Sequence, residues 1–244
     1  MNWFHNLYFG EGPGIPKDAP APEGLRLLAH VLGREWWELL KLNLLFVAVS
    51  LPVFTLPAAH FATVSICVAM IEDRNVYLWR DFWSAFGSRF RLTTLIGLLF
   101  CGVAALAVLA IQTYAAAARS NLLLVAPLTV AATVSVLLPL FGAHLFVAMA
   151  QDPRRAVRDL LKASTIGLLA RPLPGLAALL FAALLWLAHI LLYPASVLLP
   201  VLINFSLGAL VTSLAVLQGV QLGFSQVAAA SPQGATERPT AQSA

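Results

Sequence analysis

The chain has 244 residues, of which 60% are hydrophobic and only 11% are charged, and its net charge is +4. A soluble globular domain carries roughly 25% charged residues. The composition therefore excludes an ordinary soluble enzyme, a disordered chain and a nucleic-acid-binding module. The two cysteines, Cys67 and Cys101, both lie inside apolar runs, which excludes a disulfide scaffold. The excess of apolar residues indicates a protein that lies in a lipid bilayer.

The N-terminal segment, residues 1–41, is predicted to be cytoplasmic. Its Gly- and Pro-rich part, residues 10–22, cannot form a helix, because proline lacks the backbone N–H and fixes the backbone angle φ. Helical periodicity begins near Leu25 and continues to Lys41. A helix is therefore expected immediately before the first apolar run.

Five apolar runs follow, and each is long enough for at least one crossing, which takes about 20 residues at roughly 1.5 Å per residue. They are 42–71, 92–118, 121–150, 172–193 and 195–227. The first run contains Pro52 and Pro57, which interrupt a helix. It is therefore predicted to form two short helices that meet near residues 52–57.

The distribution of basic residues decides the number of crossings. Lys and Arg cluster in residues 1–41, 72–91 and 151–171, as the positive-inside rule predicts for cytoplasmic segments. An even number of crossings must then separate the first two clusters. This gives about six transmembrane helices, with both termini cytoplasmic and outer loops at 52–57, 117–121 and 192–196. In the alternative with five spans, run 42–71 crosses once and leaves the basic residues of 1–41 outside.

The predicted fold class is thus all-α: a polytopic membrane helix bundle forming a single transmembrane domain over residues 1–230. Residues 231–244 are predicted to be a disordered tail, because they are polar and contain proline. The lipid bilayer is the expected partner, and nucleic acid is not.

Two similar segments indicate an internal repeat. Val68-Ala69-Met70 recurs 79 residues later as Val147-Ala148-Met149, and Arg80-Asp81 recurs 78 residues later as Arg158-Asp159. The predicted units, about 57–118 and 121–193, each contain an inbound span, a short cytoplasmic helix and an outbound span. Both units run in the same direction, which makes the repeat parallel. The last span, 195–227, follows the second unit.

The two short cytoplasmic helices are amphipathic, since apolar side chains recur on one face at helical spacing. One interpretation is a pair of helices lying on the inner leaflet of the membrane. The other is a docking surface for a partner protein. The candidate docking residues are Trp79, Arg80, Asp81, Phe82, Trp83, Arg158 and Asp159.

The sequence contains no phosphate-binding loop and no HExxH, GxSxG or CxxC motif, so no enzymatic activity, cofactor or metal is expected. No Asp or Glu lies in any apolar run, which disfavours ion-coupled transport. Polar residues in the spans are either solute-facing or hydrogen-bonded between helices. Asn43 is assigned to the second kind. The candidate solute-facing residues are His60, His144, Asn204, Gln218 and Gln221.

Five short motifs occur between the N-terminus and the first short helix. They are Asn6-Leu7-Tyr8, the stretch 11–20 (EGPGIPKDAP), 41–45 (KLNLL), 50–53 (SLPV) with 56–58 (LPA), and 78–83 (LWRDFW). Together they resemble the YesL family of bacterial integral membrane proteins. That resemblance implies a multi-pass protein of the bacterial inner membrane, from a family without an established activity whose genes lie beside carbohydrate importers and glycoside-degrading enzymes.

Two functions are expected, of which the resemblance implies the first and the candidate solute-facing residues favour the second. The first is an accessory or regulatory subunit in carbohydrate (oligosaccharide) uptake of the ABC type, with the permease or its ATPase as partner. The second is a solute-binding transport subunit or small channel for a sugar. The family defines no catalytic residues that could be carried over to this chain.

Overall fold

The computed structural model describes residues 22–230, and within that range every regular element is helical. The motifs before residue 22 and the predicted tail 231–244 lie outside the described residues. The eight α-helices are α1 (Gly24–Val49), α2 (Leu56–Ile71), α3 (Leu78–Ser88), α4 (Phe90–Ala117), α5 (Val125–Gln151), α6 (Val157–Ala170), α7 (Pro172–Leu191) and α8 (Phe205–Ala229). This architecture confirms the all-α helix bundle.

The apolar run 42–71 is divided between two helices, as predicted. Helix α1 ends at Val49, a 3₁₀ turn occupies Val53–Thr55, and α2 begins at Leu56. Pro57 lies in the first turn of α2, where its missing N–H removes no helical hydrogen bond. The expected boundary at Lys41 was wrong, because α1 is continuous from Gly24 and no proline interrupts it.

Helices α1 and α2 run antiparallel along each other. At one end Arg34 forms an ion pair with Asp73, and its Nη2 atom donates to the carbonyl oxygen of Met70 over 2.9 Å. At the other end the turn 50–55 connects the helices. The residues around Arg34 and those around Asp73 therefore lie at the same end of the bundle.

The other basic segments lie at this same end. Gln151 donates to Glu72 over 2.9 Å, and Arg89 donates to the carbonyl oxygen of Arg155 over 3.0 Å. We call this end, defined by Arg34, Arg89 and Arg155, the basic end. The connections 50–55, 118–124 and 192–199 form the opposite end. That the basic end is cytoplasmic stays a prediction of the positive-inside rule.

Within residues 22–230, five helical segments are long and apolar enough to cross a membrane. They are Val53–Ile71, Phe90–Ala117, Leu122–Gln151, Pro172–Leu191 and Pro200–Ala229. In the most apolar stretch of the segment with α2, 67% of the residues are buried. In the segments with α4 and α7 the buried share is 11% each, and leucines are exposed along both helices. Such apolar outer surfaces indicate a multi-pass membrane protein. Helix α1 is not among the five, because charged side chains occur in it from Arg26 to Lys41. A count of six crossings therefore requires α1 to cross the membrane alongside α2.

The order of elements is the same in the two predicted repeat units. Each contains a long helix, a short helix and a long helix: α2–α3–α4 in the first and α5–α6–α7 in the second. In both units an arginine, Arg89 or Arg171, immediately precedes the second long helix. The parallel repeat itself stays a prediction that agrees with this order.

Candidate functional site

A central cavity of about 330 Å³ lies between six helices. Its walls come from α1, α2, α4, α5, α7 and α8 and are rich in aromatic side chains. The aromatic residues are Phe46, Phe100, Phe146, Trp186 and Phe205. The centroids of the Phe46 and Phe205 rings are 4.9 Å apart, and those of Trp186 and Phe205 are 5.4 Å apart. Volumes of about 300–1,000 Å³ with mostly apolar walls are typical of small-molecule sites.

Two buried polar side chains that line the cavity have no hydrogen-bond partner in the described part of the chain. Asn204 is 2% exposed and both atoms of its amide are unpartnered. Ser213 is 1% exposed and its hydroxyl is unpartnered as well. Leaving such groups without a partner costs about 1–3 kcal/mol each. The lining of the cavity therefore contains buried hydrogen-bonding groups that have no partner in the described chain.

The position of Asn204 depends on an irregular turn before α8. Residues Pro200–Asn204 form a π-helical turn, a feature found frequently at functional sites. The fully buried Asn43 of α1 holds this region. Its amide nitrogen donates to the carbonyl oxygens of Pro200 and Val201, and its amide oxygen accepts from the backbone N–H groups of Phe205 and Ser206. The four distances are 2.7–2.9 Å, which confirms the expected interhelical role of Asn43.

His60 lines the cavity, but His144 does not. The His60 ring packs edge-on against Phe146 with 5.5 Å between ring centroids. His144 is fully buried elsewhere: its Nδ1 atom bonds to the carbonyl oxygen of Leu140 over 2.8 Å, and its Nε2 atom lies near Gly219. Residues 144 and 146 of one helix differ by about 200° in direction. His60 and His144 therefore do not face the same cavity, and His144 is not placed to contact a solute bound there.

Gln218 and Gln221 also lie away from the cavity. They line a groove of about 720 Å³ between α1, α7 and α8, together with Glu23 and Glu72. Gln218 accepts a hydrogen bond from Arg171. At roughly 1.5 Å per residue, Gln218 is about 20 Å along α8 from Asn204. Of the five predicted solute-facing residues, the structure thus brings together His60 and Asn204.

Ser213 was not among the predicted site residues, although the spacing in α8 contains a signal for it. Phe205, Gly208, Thr212 and Ser213 all line the cavity. Gly208, Thr212 and Ser213 lie three, seven and eight residues after Phe205, and residues at this spacing share one face of a helix. The shared face was detectable from the sequence, but its contact with a cavity was not.

The predicted docking residues on α3 divide into an exposed and a buried set. Trp79 is 68% exposed, and its ring lies 5.8 Å from that of Trp83. The side chain of Arg80 is 72% exposed and lies over the Tyr77 ring at 4.5 Å. Phe82 is fully buried in the core, so its assignment to a docking surface is corrected. Among the predicted docking residues of this helix, Trp79, Arg80 and Trp83 are the exposed ones.

Asp81 stabilises the beginning of α3. Its carboxylate accepts from the backbone N–H of Tyr77 over 2.8 Å and from Arg80 over 2.8 Å. Partial burial alone would raise the pKa of Asp81, but the Tyr77 hydrogen bond and the charge of Arg80 outweigh it and hold this pKa below its ordinary value. Asp81 therefore stays ionised at neutral pH and acts as a local cap.

The corresponding residues of α6 lie in a different environment. Arg158 is exposed and Asp159 is half-buried. Helix α6 packs on α5 and α8, whereas α3 packs on α2. The two predicted docking segments thus pack against different neighbours.

The fold and the cavity define the class of protein: a multi-pass, all-α membrane protein with a partly open cavity between its helices that is of the size of a small molecule. Residues 39–111 match the family model described as "Protein of unknown function, DUF624", the family that includes YesL. The matched range runs from the end of α1 through most of α4 and includes Asn43, His60 and Arg89. No curated protein and no solved structure matches the chain.

Proposed function

We propose that this protein binds a neutral, polyhydroxylated solute of the carbohydrate class in the central cavity, as a solute-binding subunit of uptake across the membrane. The observation that carries the proposal is the unpartnered Asn204 amide and Ser213 hydroxyl inside an aromatic cavity. Hydroxyl groups of a sugar can donate to and accept from both side chains. The apolar C–H faces of a sugar ring can pack on aromatic rings such as Trp186 and Phe205.

The charge of the cavity supports a neutral solute. Among the described residues that line it, His60 is the one titratable group, and none is Asp, Glu, Lys or Arg. A buried ionised ligand would have no countercharge there, which is unfavourable in a low-dielectric site. The volume of about 330 Å³ accommodates a sugar of one or two rings more readily than a longer chain. The resemblance to YesL proteins supports the same class of solute.

We expect Asn204→Leu to abolish sugar binding and to raise the stability of the ligand-free protein. Leucine has a similar volume and removes two buried, unpartnered polar atoms, a gain of about 1–3 kcal/mol. The measurement is thermal unfolding of the full chain in nanodiscs, with and without a panel of neutral mono- and disaccharides. A bound sugar raises the unfolding temperature of the unaltered protein, whereas Asn204→Leu should show no such rise.

A matched pair of glycine variants tests the same cavity without touching its polar groups. A Cβ atom at Gly208, which lines the cavity, or at Gly102 meets nothing within 4 Å. Gly208→Leu should fill the cavity and weaken sugar affinity at least tenfold, about 1.4 kcal/mol, while Gly102→Leu should leave it unchanged. If no neutral sugar stabilises the unaltered protein, or if Gly208→Leu binds equally well, the proposal is overturned.

A second candidate function is an accessory subunit of a carbohydrate ABC importer. The exposed Trp79 and Arg80 at the basic end favour it, because tryptophan and arginine are enriched at the centres of protein interfaces. We expect Trp79→Ala combined with Arg80→Ala to reduce co-purification with a co-expressed permease and ATPase severalfold. Trp36→Ala is the control, since Trp36 is 54% exposed on α1. Equal recovery with both variants would argue against docking through α3.

A further inference from the structure

An open pocket of about 580 Å³ lies at the basic end, apart from the central cavity and from the groove beside Gln218. Two chain segments form its walls: residues 87–92 between α3 and α4, and residues 155–157 before α6. Three of its side chains are arginines, Arg89, Arg91 and Arg155, and none of its lining residues within the described chain is acidic. We call this open pocket the arginine pocket.

The positive charge of the arginine pocket is only partly neutralised. Arg155 forms an ion pair with Asp152 at 3.1 Å, and its guanidinium lies over the Phe224 ring at 4.4 Å. Arg89 donates one hydrogen bond to the carbonyl oxygen of Arg155, but its Nη1 atom is buried and has no partner in the described range. Arg91 is exposed and has no ion pair among residues 22–230.

Two helices begin at the wall of this pocket. Helix α4 begins at Phe90 and α6 begins at Val157, and neither has a side-chain cap. The first N–H groups of a helix lack intrahelical partners and carry partial positive charge. Both starts therefore add to the field of the three arginines. The unpartnered Nη1 atom of Arg89 adds a charged donor at this wall whose positive charge no acidic group of the described chain neutralises.

The charged groups next to the second segment do not neutralise the positive charge of the pocket. Arg154 and Arg158 flank the second segment, and the acidic residues of that region are Asp152, already paired with Arg155, and Asp159. Guanidinium groups bind phosphate oxygens through paired hydrogen bonds. The pocket also lies at the end of α4, where the lipid-facing surface of the bundle ends and headgroup phosphates are expected.

We propose that the arginine pocket binds a phosphate group and thereby links the two predicted repeat units. Arg89 and Arg91 come from the first unit and Arg155 from the second, so one phosphate bridges them. The phosphate belongs either to the headgroup of an anionic phospholipid or to a free phosphate compound. This inference does not depend on the central cavity or its solute.

The test uses the full chain in nanodiscs of phosphatidylcholine alone and in nanodiscs that also contain phosphatidylglycerol. We expect the anionic lipid, or inorganic phosphate added to the neutral nanodiscs, to raise the unfolding temperature in a saturable manner. Stabilisation by the lipid alone identifies a headgroup, and stabilisation by inorganic phosphate identifies a free phosphate compound. A lack of stabilisation by either would overturn the proposal.

Arg91→Gln should weaken this effect at least tenfold in apparent affinity, and Arg89→Gln more strongly. Arg91 makes no ion pair in the described chain, so its variant tests the pocket even if loss of the Arg89–Arg155 contact impairs folding. Arg158→Gln removes the same charge from an exposed position at the same end and should respond like the unaltered protein. If Arg91→Gln and Arg158→Gln respond equally, the attraction is general surface charge and the pocket is not a site.

Discussion

Gly223→Ala is expected to lower the stability of the protein more than any other single methyl addition at a glycine of α8. A Cβ atom at Gly223 would lie 2.1 Å from the backbone carbonyl oxygen of Ala163. A backbone atom cannot rotate away as a side chain can, so α6 and α8 must separate. Overpacking of this kind costs typically 1–3 kcal/mol and occasionally more.

The contact at Gly223 belongs to a longer close approach of α6 and α8. A Cβ atom at Gly167 would lie 2.6 Å from the carbonyl oxygen of Gly219, and one at Gly219 would lie 3.0 Å from that of Gly167. Small residues allow such approach between helices in a membrane, where packing replaces the hydrophobic effect. Separation of the two helices at Gly223 would therefore weaken the neighbouring contacts as well.

Gly102→Ala on α4 is the matched control for this prediction. Both changes replace glycine by alanine inside a helix and gain about 0.8–1 kcal/mol of helix propensity. At Gly102 nothing lies within 4 Å of the added Cβ atom, so the variant should keep the full gain in helix propensity and be slightly more stable than the unaltered protein. Equilibrium unfolding in mixed micelles, followed by circular dichroism, measures both. Equal stability of the two variants would contradict the close packing of α6 on α8.

The number and order of the helices could be predicted because the signals for them are local. Apolar run length and the prolines Pro52 and Pro57 determined where α2 begins. The helix end expected at Lys41 was wrong, because a change from charged to apolar side chains changes the surroundings of a helix but does not interrupt its backbone hydrogen bonds. Helix α1 therefore passes from one environment into the other without interruption.

The periodicity of α3 identified its apolar face but not which part of that face would be covered. Phe82 and Trp79 are three residues apart and were assigned to one stripe. In the structure Phe82 is fully buried in the core, while Trp79 is 68% exposed. Which residues of this face are covered depends on how α3 packs against α2, a tertiary property that no spacing within α3 encodes.

The candidate site was only partly predictable for the same reason. Polarity within an apolar run selected His60 and His144 equally, but the rotation of α5 directs Phe146 towards His60 and His144 towards Gly219. Asn204 was selected as a candidate and lies in the lining of the central cavity, and its contact with a solute stays a prediction. Asn204 ends the π-helical turn at Pro200–Asn204, and Asn43 of α1 contacts this turn; a contact between residues so distant in the sequence is not visible in the local pattern.

Asn43→Leu is expected to destabilise the protein by about 2–4 kcal/mol, since it removes four hydrogen bonds worth roughly 0.5–1 kcal/mol each. Leucine fills a similar volume and leaves no cavity, so the loss of stability measures the contribution of the hydrogen bonds. Asn75→Leu is the control, because Asn75 is exposed and makes no side-chain hydrogen bond in the described chain. Unfolding in mixed micelles measures both variants.

The same change has a second consequence at the central cavity. Asn43 bonds to the turn that ends at Asn204 and to the N–H of Phe205, so its loss should release both cavity residues from their positions. We therefore expect the Asn43→Leu protein that remains folded to lose sugar stabilisation, whereas Asn75→Leu retains it. A folded Asn43→Leu protein with unchanged stability would show that α1 does not hold the start of α8, and the cavity geometry would have to be set by α8 and its own π-helical turn.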